Sequence, residues 1–253
     1  MTKVSIIGSG NVAQHLIQAF QLDNSIEIVQ VFARTKKNFA HLLDSDRIIS
    51  DYSQLQAADV YIIAVSDDAI AEVSAALPFN NQLVVHTSGT VALTSIAITN
   101  RRGVFYPLQT FSKDKAVNFK TIPICLEAEN ENDFQILSSI ASTISDAVYK
   151  INSEQRKALH VAAVFVNNFV NHLYQMGNEI CENNQVPFEI LKPLIQETAH
   201  KIITLSPKDA QTGPAKRNDL KTIEAHEQFL TDENQANVYR ILTQSILNNG
   251  KKL

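Results

Sequence analysis

The chain is short of cysteine, of net positive charge and of long apolar runs, and each shortage removes a class of protein. Its two cysteines, Cys125 and Cys181, stand far apart among 253 residues and match no metal-ligand spacing, so reduced thiols and no metal site are expected. The formal net charge is -4 with 19% charged residues, leaving no basic surface that argues for nucleic acid. The longest apolar run, residues 161–166, is far too short to span a bilayer, so no membrane partner is expected. Met1 leads straight into an apolar segment, which leaves no room for a targeting peptide; a cytoplasmic protein is the expectation. No internal repeat or low-complexity segment is visible. With 45% hydrophobic residues, the chain can bury one large domain or two small ones.

What is present is organised around the first twenty residues. A short β-branched run ends in Gly8-Ser9-Gly10-Asn11-Val12-Ala13, after which Val12, Leu16 and Phe20 recur at helical spacing. Strand, Gly-x-Gly-x-x-Ala and helix in that order have a mechanism. Gly8 permits a tight turn, Gly10 lets a pyrophosphate approach the backbone, and Ala13 lets helix and strand pack. The helix start then offers unpaired N–H groups to phosphate. Dinucleotide binding by Gly8 to Ala13 is therefore expected.

Further along, strands are predicted at residues 28–32, 47–49, 60–65, 82–86, 103–106, 121–126 and 147–151. Helices are predicted at 36–43, 67–77 and 133–143. That alternation argues for a parallel-rich α/β sheet of the Rossmann type. From residue 153 onward the pattern is helical throughout, with segments at 153–183, 187–205, 219–230 and 232–248. A nucleotide-binding domain over 1–152 and an all-α domain over 153–253 are expected. In the first long helix, Ala162, Phe165, Val166, Phe169, Leu173, Met176 and Ile180 share one face. Ser153, Arg156, His160, Asn167 and Asn171 share the opposite one, which reads as a solvated face or as a wall of the cleft. A helix of that length could form the spine of a homodimer.

The second strand ends in Arg34 and Thr35, where an NAD-selective fold would place a carboxylate for the ribose 2′-OH. A guanidinium and a hydroxyl suit a 2′-phosphate instead, so NADP(H) is the expected cofactor. Val65, Ser66 and Asp67 follow the fourth strand and should lie beside the ribose and nicotinamide. His86 and Ser88 end the fifth strand; a histidine there could supply the proton that carbonyl reduction requires. His160 and Asn167 are further catalytic candidates on the long helix. Thr212, Lys216 and Arg217 lie in a turn that could clamp an anionic substrate. Pro107 and the aromatic residues around it are expected to shape the pocket.

These stretches resemble a known family. Gly8 to Ala13, Arg34-Thr35 and Ala64-Val65-Ser66-Asp67-Asp68 are similar to the NADP-binding domain of pyrroline-5-carboxylate reductases and F420-dependent NADP reductases. His86-Thr87-Ser88-Gly89, residues 105–111, residues 158–163 with Asn168, and residues 212–219 resemble Rossmann-like oxidoreductases that carry an all-helical C-terminal domain of unknown function. The resemblance implies a fold like that of 6-phosphogluconate dehydrogenase, with the helical domain used for dimerisation and for one wall of the active site. Two positions depart from it. Tyr106 stands where His is expected before Pro-Leu, which counts against proton transfer at that position, and Asn218 stands where Gly is expected. The Lys-x-x-x-Asn pair of β-hydroxyacid dehydrogenases is absent, since Val161 follows Lys157 by four. The Gly-Ser-Gly-Pro-Ala stretch of pyrroline-5-carboxylate reductases is absent as well. The expected function is hydride transfer between NADP(H) and a carbonyl or imine of a small, anionic metabolite. The alternatives are a sensor or structural dimer that holds NADP(H) without turnover, and hydride transfer to a deazaflavin.

Overall fold

The structure is a computed structural model that describes residues 1–251 apart from 36–38, 40 and 114. By compactness the chain divides into two units, Met1–Val164 and Phe165–Leu253.

The first unit is built on eight strands: β1 (Thr2–Ile7), β2 (Ile26–Phe32), β3 (Ile48–Ile49), β4 (Val60–Ile63), β5 (Leu83–His86), β6 (Arg101–Pro107), β7 (Ile124–Ala128) and β8 (Val148–Lys150). They form one sheet in the order β3-β2-β1-β4-β5-β6-β7-β8. Reversal of strand order between β1 and β4 creates the crevice at which open α/β sheets bind ligands. All neighbours are parallel except β6 and β7, which pair antiparallel within the parallel-rich sheet expected from the sequence. Among the described residues, the connection from β6 to β7, 108–123, contains one 3₁₀ turn, Phe119–Thr121, and no crossover helix to return the chain parallel.

Helix α1 (Asn11–Phe20) buries Ala13, Leu16, Ile17 and Phe20 against one face of the sheet, meeting Val4, Ile6, Val31, Ile62, Val85 and Phe105. Helix α3 (Glu131–Ile144) packs beside it through Leu137, Ile140 and Ala141. The opposite face carries α2 (Ile70–Ala75), which continues from a 3₁₀ turn, Asp67–Ala69. Of the helix expected at 36–43, residues 36–38 and 40 lie outside those described, and residues 41–43 form turns. Helix α4 (Ser153–Ala163) closes the unit. Asn152 caps it by accepting from the Gln155 amide, while the Gln155 side chain accepts from the Asn152 amide.

A π-helical turn, Val164–Phe169, follows α4. The second unit then contains α5 (Val170–Asn183), α6 (Lys192–Thr204), α7 (Pro207–Ala210), α8 (Leu220–Phe229) and α9 (Glu233–Lys251). The uninterrupted rod expected over 153–183 is thus two α-helices joined through a π turn. In that turn Phe165 and Phe169 meet edge to face at 5.1 Å. No described helix is long and apolar enough to cross a membrane.

Candidate functional site

Across the carboxyl ends of β1, β2 and β4 runs a groove of about 800 Å³. Gly8, Ser9, Gly10, Asn11 and Val12 line one stretch of it, and Arg34, Tyr52, Glu72 and Val73 another. Gly8 adopts φ +135°, and a Cβ there would overlap the carbonyl oxygen of Ala64 on the neighbouring strand. Only glycine satisfies both constraints. Gly10 differs: a Cβ built on it meets nothing within 4 Å, because the residue faces open groove. The amides that open α1 have no intrahelical acceptors and no side-chain cap replaces them. A phosphate-sized space beside free amides is what a bound pyrophosphate requires. Ala13, fully buried behind the turn, does the packing expected of it.

Arg34 follows β2 on the rim of the same groove, and no carboxylate stands at that strand end. Thr35 is exposed beside it. These residues fit an adenine nucleotide carrying a 2′-phosphate. Val65 and Ser66 also line the groove. Asp67 does not: its carboxylate accepts from the Thr90 hydroxyl at 2.5 Å, tying the β4 turn to the loop after β5. Ser66, the N-cap of the turn that Asp67 opens, makes no side-chain capping bond.

Sequence reasoning missed part of the lining. Tyr52, stacked on Phe32 with ring centroids 4.1 Å apart, comes from the turn after β3, and Glu72 and Val73 come from α2. Sheet order brings them together. From β6 onward, Gln109 and Phe111 reach over the groove, held to α1 by the Asn11 side-chain Nδ2 donating to the Phe111 carbonyl at 2.9 Å.

The two catalytic candidates at the end of β5 are placed as supports. His86 is fully buried, its Nδ1 accepting from the Ser88 amide at 3.2 Å. Burial, reinforced by the nearby Arg156 charge, pushes its pKa down to about 4. The imidazole is thus buried and neutral at pH 7, and it is not part of the groove lining. Ser88 Oγ accepts from the amides of Thr90 and Val91 at 3.1 and 3.0 Å, shaping the loop.

The polar stripe of α4 proves to be its inward face. Arg156 is 1% exposed, ion-paired with Glu127 of β7, and donates to the Val91 carbonyl at 2.5 Å. Ser153 donates to Glu127 through both its amide and its hydroxyl. His160, one turn on, meets Tyr106 of β6, its Nδ1 lying 3.1 Å from the phenol oxygen. The solvated face expected for Ser153, Arg156 and His160 is therefore corrected. Charge satisfied by charge and by backbone can be buried where an unpaired group cannot.

In the second unit Asn167 lies exposed in the π turn. Thr212, Lys216 and Arg217 are exposed on the turn that precedes α8, where Asp219 caps the helix by accepting from the Thr222 amide.

In sequence, residues 3–89 match the family described as NADP oxidoreductase, coenzyme F420-dependent, and residues 122–246 match domain of unknown function DUF2520. No curated protein matches the chain. Among solved structures, a Bacteroides fragilis protein provisionally named an NADP oxidoreductase is 38% identical over 98% of each chain, with a TM-score of 0.86. A Thermotoga maritima protein is 20% identical over 98% of each chain, with a TM-score of 0.76. Pyrroline carboxylate reductase from Plasmodium falciparum, solved with NADP bound, is 14% identical over 97% of this chain and 98% of its own, with a TM-score of 0.63. The last two likenesses concern the fold alone.

Proposed function

The chain belongs to the family that joins an F420-dependent-type NADP oxidoreductase domain to a DUF2520 domain, and from that premise we propose that it is an NADP(H)-dependent oxidoreductase acting on a carbonyl or imine of a small, anionic metabolite. The observation that carries the reading is the groove itself, which has a glycine turn with free amides at one end and Arg34, without a strand-end carboxylate, at the other. In this reading Gly8 to Val12 hold the pyrophosphate. Arg34 and Thr35 hold the 2′-phosphate, and Val65 and Ser66 form the wall toward the nicotinamide. When bound, the coenzyme supplies or accepts a hydride. The protein orients the reactants, and His160 holds the proton for the developing oxyanion.

The test is calorimetry with NADPH and NADH on wild type and Arg34→Ala. NADPH is expected to bind the wild type more tightly, and the substitution to weaken NADPH by at least about tenfold while sparing NADH. Equal loss for both coenzymes would remove the 2′-phosphate assignment, and absence of heat with either would remove the function. Turnover is then read as loss of reduced-nicotinamide absorbance with a panel of keto acids and cyclic imines. The description of the family matched by residues 3–89 favours a second acceptor, a deazaflavin, which would show as oxidation only when that compound is supplied. Tight binding with no acceptor oxidising the coenzyme would favour a sensor. The second unit is assigned to homodimerisation.

A further inference from the structure

We infer that Tyr106 is the positioning residue of the reaction site: its hydroxyl holds His160 in the tautomer that carries the ring proton on Nε2. The inference rests on the oxidoreductase reading for its chemistry, but its geometry stands apart from any coenzyme.

Tyr106, next to last in β6, points to the face opposite α1. There it packs with Leu93, Val104 and Cys125, and with Leu108, Ile151 and Leu159 around them. It is nearly sealed from solvent, and among the described residues its hydroxyl has one hydrogen-bond partner, His160 Nδ1 at 3.1 Å. A buried hydroxyl donates where an acceptor is in reach. Burial pushes the phenol pKa up to about 12, so the hydroxyl keeps its hydrogen at neutral pH. Were Nδ1–H to donate to the phenol oxygen instead, the hydroxyl hydrogen would be left buried without an acceptor. Tyr106 Oη–H therefore donates, Nδ1 accepts, and neutral His160 carries its hydrogen on Nε2.

The site around the pair is built. Gly89, on the loop after β5, lies under both rings; a Cβ there would stand 2.5 Å from His160 Nδ1 and 2.8 Å from the Tyr106 ring. His86 and Val104 are register partners on β5 and β6, so Tyr106, two residues beyond Val104, stands level with the loop that begins at Thr87. Thr87 itself lines the groove. His160 is partly exposed, as a proton donor must be.

The proton balance closes. As a carbonyl is reduced with two electrons from NADPH, its oxygen takes the Nε2 hydrogen, and Nδ1 takes the hydrogen from Tyr106 Oη. The partly exposed His160 Nε2 then takes a proton from water, and Nδ1 returns its hydrogen to the phenolate. The charge of Arg156 nearby favours that phenolate.

The experiment is ¹⁵N NMR of the histidine ring nitrogens in the coenzyme-free protein at neutral pH, on wild type, Tyr106→Phe and Gly89→Ala. In the wild type His160 is expected to show a protonated Nε2 and an unprotonated, hydrogen-bonded Nδ1. Both variants are expected to displace the Nδ1 resonance to that of an unbonded acceptor. A protonated Nδ1 in the wild type, or an Nδ1 resonance that Tyr106→Phe leaves in place, overturns the inference. Tyr106→Phe is also expected to leave the NADPH dissociation constant and KM unchanged while lowering kcat about a hundredfold on any carbonyl substrate turned over. An unchanged kcat overturns the role in proton transfer. Failure of NADPH to bind while the ring signals behave as described would remove the proposed function and leave the tautomer assignment standing.

Discussion

Gly8 and Gly10 sit two residues apart, and the same substitution separates their roles. Gly8 is held by the fold, since its φ of +135° and the Ala64 carbonyl beside it leave no place for a side chain. Gly8→Ala is expected to cost about 2 kcal/mol or more, read by urea unfolding. Gly10 faces open space, so Gly10→Ala should leave stability within about 0.5 kcal/mol while weakening NADPH binding at least about tenfold. Unaltered affinity in that variant would mean that no phosphate comes near the turn. His86 makes its own prediction. Its folded pKa of about 4 lies below the usual 6.5, so the unfolded chain takes up this proton first as pH falls. The stabilisation is complete above pH 6.5 and is lost progressively down to about pH 4. That loss amounts to about 3 kcal/mol, and unfolding curves across this window should show it in the wild type and not in His86→Asn.

Among the elements, α4 shows how a polar stripe can be the buried side of a helix. Periodicity separated Ser153, Arg156 and His160 from the apolar face correctly. It could not say which face turns inward, because the rule that apolar residues go inside fails where polar groups find partners. Glu127, on β7 and 29 residues from Arg156, is that partner. Glu127→Gln leaves a buried guanidinium without its counter-charge and is expected to cost about 3 kcal/mol by urea unfolding. A Glu127→Gln/Arg156→Met double variant should recover part of that loss. Recovery of none would mean that packing of the arginine stem, and not its charge, holds α4 to the sheet. The β6–β7 pair shows the same limit in a strand: an apolar run gives a strand its existence but not its direction.

For the whole molecule, a parallel-rich α/β sheet was legible in outline from one glycine turn and a succession of strands and helices, whereas the order β3-β2-β1-β4-β5-β6 came from the fold. The helical character of the chain beyond β8 was legible as well. The N-terminal part of the apolar face read on the long helix is exposed in the single chain: Phe165 is 63% exposed and Val166 72%. Ile190, Leu194 and Ile203 of the same unit are exposed too. Apolar exposure on this scale favours association, and sedimentation at micromolar concentration is expected to give a dimer. Phe165→Glu with Val166→Glu should shift it to monomer without lowering the melting temperature of the first unit; a wild-type monomer would remove the assignment.

Residues near one another in sequence wrote the glycine turn, the strand-end cation and the capped helix starts, because each depends on backbone conformation and chemistry within a few positions. Contacts across the fold decided the rest. Tyr52 and Glu72 joined the groove wall, His86 became a sealed support, and Tyr106 met His160 across 54 residues. A side chain's solvation and hydrogen-bond partners are set by whatever the folded sheet brings beside it, and no local pattern records that neighbour.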